Sequence, residues 1–138
     1  MVRGTEITVE MKGDSDIANI TEYVEECIKN STIIAGIVNI SVIGSTASIS
    51  TIEYEPALVE DMRDHLQTFA PREMKTRHGD TWGDDNGYSH IRATFMGPGI
   101  TLPFAHSKLI LGTWQQVIVI DHDNRPRSRK IYIQIIGE

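Results

Sequence analysis

From Glu6 to Met11 apolar and polar residues alternate, with Ile7, Val9 and Met11 on one side; this period-2 pattern predicts a half-buried strand, ended by Gly13-Asp14. Ile17, Ile20, Val24, Cys27 and Ile28 then recur three or four residues apart. That spacing predicts an amphipathic helix with Glu22, Glu25 and Glu26 on its other faces. Thr32 to Ile43 is rich in Ile and Val, and a second β-prone run extends from Ala47 to Ile52, with Gly44-Ser45-Thr46 between them. Two strands separated by a tight feature are expected.

Pro56 suits the first turn of a helix, where its missing N–H costs nothing, and Leu58, Met62, Leu66 and Phe69 continue at helical spacing to Pro71. Past Pro71 the pattern fails. Arg72 to Ser89 is polar, rich in turn formers and poor in aliphatic residues, which predicts a long irregular loop of the kind that is either functional or disordered. A short helix is expected over His90 to Met96, stopped by Gly97-Pro98-Gly99. The remainder predicts strands at Ile100 to Phe104, Leu109 to Leu111, Gln115 to Ile120 and Lys130 to Ile136, the last two joined by the turn-rich Asp121 to Arg127. Helices interleaved with the early strands, followed by a β-rich final third, predict an α+β fold with antiparallel-rich sheets and about three helices. A chain of 138 residues makes this one small domain, 1–138.

Composition narrows the function. With 40% hydrophobic residues the chain can bury one core. No apolar run approaches the length that crosses a bilayer, and the N-terminal segment lacks the apolar stretch of a signal peptide, so a cytoplasmic protein with no membrane partner is expected. The formal charge of −6 opposes sequence-independent nucleic-acid binding, which needs many Lys and Arg side chains to neutralise phosphates. Cys27, the only cysteine, excludes an intrachain disulfide and is expected as a small buried hydrophobe.

Candidate chemistry gathers in the polar stretch from Arg77 to His90. His78 and His90, with Asp80, Asp84, Asp85 and Asn86 between them, bring imidazole and carboxylate groups together as a divalent metal or an acid–base site requires. The same residues equally describe a solvated acidic loop with a turn at Asp84-Asp85-Asn86-Gly87. Arg125, Arg127, Arg129 and Lys130 form a basic cluster suited to phosphate oxygens, or a solvated turn. Gly44-Ser45-Thr46 can place backbone N–H groups and hydroxyls around an anion, although the rest of a P-loop is missing. Glu53 can present a carboxylate at a strand end, and Trp114-Gln115 opens a strand, with Trp114 expected in the core.

Taken together, these segments resemble the secondary thiamine-phosphate synthase family, the YjbQ-like proteins. The likeness runs from about Ile7 to the end and is most specific in Leu109-Ile110-Leu111-Gly112-Thr113-Trp114-Gln115, followed by a strand, the Arg-Pro-Arg-Ser-Arg turn and a final strand closing on Ile-Ile-Gly. The resemblance implies small α+β subunits associating as homotrimers, with histidines clustered in a pocket. It implies the joining of hydroxymethylpyrimidine diphosphate to thiazole phosphate with release of pyrophosphate. It assigns His78, His90, Asp85 and Glu53 as catalytic candidates. Ser45, Thr46, Asn86, Arg127, Arg129 and Gln115 become candidates for binding a phosphorylated small molecule, and His78 and His90 for holding a divalent ion such as Mg²⁺ or Zn²⁺.

Two positions depart from the family pattern: Gly44 stands where a histidine is usual and Ile52 where an asparagine is usual. His106 or His122 is then an alternative third ligand, with Glu53 or Asp85 as a carboxylate one. A non-catalytic ligand- or metal-binding relative, and a metal-dependent hydrolase, stand as the other readings.

Overall fold

The computed structural model describes residues 1–138. Its elements are β1 (Val2–Met11), β2 (Asp16–Asn19), α1 (Thr21–Ser31), β3 (Gly36–Val42), β4 (Ala47–Glu53), α2 (Pro56–Phe69), α3 (Arg77–Trp82), α4 (Gly87–Met96), β5 (Gly99–Ala105), β6 (Lys108–Leu109), β7 (Gln115–Asp121) and β8 (Arg127–Gly137). Two antiparallel sheets result, one ordered β1-β8-β3-β5-β6 and the other β2-β7-β4. The fold is the expected small α+β domain, with four helices of which α3 is a short one. No helix is long and apolar enough to cross a membrane.

Strand alternation explains how the layers stack. Val38, Ile40 and Val42 of β3 and Ile131, Ile133 and Ile135 of β8 point inward, where they meet Ile49 of β4 and Val117 and Val119 of β7. Helix α1 closes the same core through Val24 and Ile28. The unbroken run Val117-Ile118-Val119-Ile120 is apolar on both sides because β7 is covered on both. Ile118 and Ile120 face away from the sheet pair and pack with Ile17 against Val59 and Met62 of α2 and Met96 of α4.

Four expectations change. Ile17 belongs to strand β2, paired with Ile120, rather than to the helix. The helix starts at Thr21, whose backbone N–H and hydroxyl both donate to the Asn19 side chain, at 3.0 and 2.7 Å. The stretch from Arg72 to Ser89 is folded rather than irregular. Thr76 caps α3 by accepting from the Gly79 amide at 2.9 Å, and α4 begins at Gly87, ahead of the expected His90. A Cβ at Gly87 would lie 2.2 Å from the Thr76 hydroxyl, so only glycine lets the two helices close at this point. Trp114 is 71% exposed and packs in no core. Cys27 is half-buried against the core rather than fully enclosed, and burial first, then the Glu26 charge, pushes its thiol pKa up, away from nucleophilic use.

A buried arginine ties the helices to the sheets. Arg92 of α4 donates through Nε and Nη2 to the Ala70 carbonyl at 3.0 and 2.8 Å, through Nη2 to Gln67 at 3.1 Å, and through Nη1 to Ser15 at 2.9 Å. It also lies over the Tyr88 ring, 4.9 Å from its centroid. The end of α2, the β1–β2 turn and α4 are thereby pinned to one guanidinium. As a check on the core assignment, Ile133→Ala is expected to lower unfolding free energy by roughly 2–5 kcal/mol, whereas Glu22→Ala on the exposed side of α1 stays within about 0.5 kcal/mol, measured by denaturant titration.

Candidate functional site

Polar residues are buried together at one end of β7. Asp121, His122 and Asp123 are all at most 1% exposed, which demands a partner for every charge. Arg129 supplies it for Asp121, donating from Nε at 3.1 Å and from Nη2 at 2.7 Å. The same Nη2 donates to the Thr46 hydroxyl at 2.6 Å, and that hydroxyl donates onward to Asp123 at 3.1 Å. Arg127 reaches Asp123 at 2.7 Å. Burial pushes the Asp123 carboxyl up, but hydrogen bonds from Arg127, the Asn124 backbone, Thr46 and Asn86 outweigh it and hold the carboxyl below its ordinary range.

His122 has both ring nitrogens engaged, Nδ1 with Ser15 and Nε2 with Ser48, each at 3.1 Å. The Ser89 hydroxyl donates to the His122 carbonyl, locking α4 onto the end of β7. Burial, then the charges of Arg92 and Arg129, lower the His122 pKa to about 3. His122 is therefore a neutral internal strut, both of its ring nitrogens engaged by serine hydroxyls. His106, the other alternative third ligand, is exposed in the β5–β6 turn.

Above this buried layer opens a cleft of about 360 Å³, lined by Gly44, Ser45, Thr46, Asn86, His90, Arg127, Arg129 and Lys130. His90 also lines a second, broader cleft of about 560 Å³ with Lys75, Arg77 and His78. The two imidazoles face each other with ring centroids 4.6 Å apart. His78 Nε2 lies 3.3 Å from Asp84. The Asn86 side-chain NH2 donates to Asp123 at 3.4 Å in one amide orientation and to His78 and Asp84, at 3.2 and 3.1 Å, in the other.

Several expected partners are elsewhere. Asp84, not Asp85, is the carboxylate at His78; Asp85 is exposed and opens into a separate cleft with Arg72 and Asp80. Glu53 and Gln115 pair with each other at the opposite end of the β4–β7 ladder. Glu53 is six positions along β4 from Ala47, about 20 Å. Gln115 is occupied locally, donating to Thr51 at 3.1 Å and accepting from the Gly112 amide at 3.0 Å. Within this chain no group of three or more His, Cys, Asp or Glu side chains is arranged to hold a metal ion.

The residues missed from the sequence are Asp121, Asp123, Ser15, Ser48 and Ser89. Their one signal is the abrupt Asp-His-Asp at the end of the Val-Ile-Val-Ile run, a place where a strand stays buried while its side chains turn polar. The His122 pKa sets a stability profile. Because the folded state holds His122 well below its ordinary 6.5, stability is complete above that value and falls as pH drops toward about 3. Between pH 7 and pH 4 this group alone removes about 3 kcal/mol, and His122→Gln is expected to flatten that part of the profile in denaturation followed by circular dichroism.

Comparison with known proteins agrees with the architecture. The family described as "UPF0047 protein YjbQ-like" matches residues 5–138. A UPF0047 protein of Archaeoglobus fulgidus is 28% identical over 131 residues, covering 95% of this chain and 99% of the relative. One from Methanothermobacter thermautotrophicus is 31% identical over 123 residues, covering 89% and 84%. Among solved structures, a YbjQ-like protein of unknown function from Sulfolobus solfataricus superposes with a TM-score of 0.94 at 33% identity, covering 100% of this chain and 99% of that one. With the match extending over nearly the whole domain and the buried Asp-His-Asp layer lying inside it, the chain belongs to the UPF0047 family of YjbQ-like proteins.

Proposed function

We propose that the protein is a transferase acting on phosphorylated small molecules in the manner of thiamine-phosphate synthase, joining hydroxymethylpyrimidine diphosphate to thiazole phosphate. The observation that carries this reading is the placement of His90 on the wall shared by a basic cleft and a second cleft containing His78. A two-substrate reaction needs two adjoining compartments, with a proton-exchanging group where they meet.

In this reading a ring nitrogen of the thiazole forms the new bond to the pyrimidine methylene carbon. The carbon–oxygen bond to the diphosphate breaks and pyrophosphate leaves with the bonding pair. Its growing charge is met by Arg129, Lys130 and Arg127 at the cleft wall. His90, whose ring lies 4.6 Å from that of His78 between centroids, serves as the group that supplies a proton to the departing oxygen.

A second reading, a ligand-binding relative without turnover, is favoured by Glu53, which lies at the far end of β4 from Thr46 and lines neither cleft. The assay separates the two. Purified protein with both substrates and Mg²⁺ is expected to yield thiamine phosphate and pyrophosphate by mass spectrometry, and His90→Ala to lower the rate by about 10²-fold or more. Binding of both substrates with no product, beside an active relative, leaves the non-catalytic reading.

The proposal includes assembly as a homotrimer. Val2, Ile136, Ile37 and Pro103 lie side by side across the outer face of the larger sheet by strand register, and all are exposed. An apolar row of this kind is suited to burial against further copies of the chain. Light scattering is expected to give the mass of a trimer for the native protein and of a monomer for Ile37→Asp; a native monomer removes this part of the proposal.

A further inference from the structure

Gly44 stands where the family resemblance leads one to expect a histidine, and the structure gives the absent side chain a consequence of its own. Arg129 is 2% exposed, and its Nε and Nη2 are committed to Asp121 and Thr46. Its Nη1 donates to no group of the chain. A Cβ at Gly44 would lie 2.8 Å from that nitrogen, closer than carbon tolerates, and it is the only atom such a Cβ would meet. The free donor of a buried, immobilised guanidinium therefore faces the cleft through the space that a side chain at position 44 would fill. Gly44 also has φ +142°, a conformation that other residues adopt only under strain.

The backbone adds donors at the same place. The amides of Gly44, Ser45 and Thr46 donate to no acceptor in the protein, whereas the flanking Ile43 amide is bonded to the Lys130 carbonyl. Successive free amides beside a fixed guanidinium, all from residues lining one cleft, are donors suited to an oxyanion. The charges agree. Arg127, Arg129 and Lys130 outnumber Asp121 and Asp123 by one, and both carboxylates lie behind the arginines, already hydrogen-bonded.

We propose that Gly44 is a specificity-determining residue: by leaving Arg129 Nη1 uncovered next to the free amides of residues 44–46, it creates a receptor for a single phosphoryl group, and the substrate class of this cleft is the phosphate ester. The inference rests on reading the cleft as the substrate site. It turns the departure at Gly44 from a missing catalytic group into a binding device.

The test is a titration of the ¹⁵N-labelled protein with inorganic phosphate and, separately, pyrophosphate, against sodium chloride at matched ionic strength. Saturable shifts of the Gly44, Ser45 and Thr46 amides are expected with both anions and not with chloride. Gly44→Ala is expected to weaken binding of both at least tenfold. Absence of saturable shifts at these amides in the native protein overturns the proposal whether or not the variant folds, and so does a folded Gly44→Ala that binds phosphate as the native protein does. Phosphate bound at 44–46 in a protein that makes no thiamine phosphate refutes the transferase reading and leaves this one standing. Product formed at the native rate by Gly44→Ala refutes this one alone.

Discussion

The bidentate pair between Asp121 and Arg129 lies where the two sheets are joined, since Asp121 ends β7 of the smaller sheet and Arg129 lies near the start of β8 in the larger. Both charges are withdrawn from water, so the pair adds little net stability while the loss of either partner alone is costly, about 3–5 kcal/mol. Its effect is geometric. With Arg129 fixed, the Thr46 hydroxyl has one position, and through it so do the Asp123 carboxylate, the Arg127 side chain and the turn that begins β4. The floor of the cleft is a chain of charge-assisted hydrogen bonds, each ordered by the one before.

That floor alters what the arginines can do. Read as a basic cluster, Arg127 and Arg129 are two free cations; in the fold each already holds a carboxylate. Attraction for an anion then depends on Lys130, on the unengaged face of Arg129 and on backbone dipoles, more than on accumulated charge. This suits a chain whose formal charge is −6, because fixed donors select a ligand by shape where a diffuse positive field would gather any polyanion.

Regular strands were the most legible part of the chain. Alternation located β1, β-prone composition located β3 and β4, and the double-sided burial of β7 is visible in its unbroken apolar run. Ile17 misled because its spacing to Ile20 fits a helix, whereas the Gly13–Ser15 turn, at positive φ throughout, returns the chain as a strand against β7. The folding of Arg72 to Ser89 was hidden because it rests on caps and on one close approach of Gly87 to Thr76 rather than on apolar periodicity. In the candidate site, His78, His90, Asn86, Thr46 and the arginines converge as expected. Asp85, Glu53 and Gln115 do not join them, because strand direction and helix phase decide which carboxylate reaches an imidazole. The Asp121-His122-Asp123 layer was missed, since the abrupt polar ending of the Val-Ile-Val-Ile run reads equally as the start of an exposed turn.

His90 forms part of the wall of both clefts, and this sharing has a thermodynamic corollary. A ligand in either compartment that favours one protonation state or orientation of the imidazole changes the affinity of the other compartment by a fixed factor, and the reverse influence must be equal in size. The two compartments thus form a linked pair, in which the order of filling can alter rates of assembly but not the stability of the doubly occupied state.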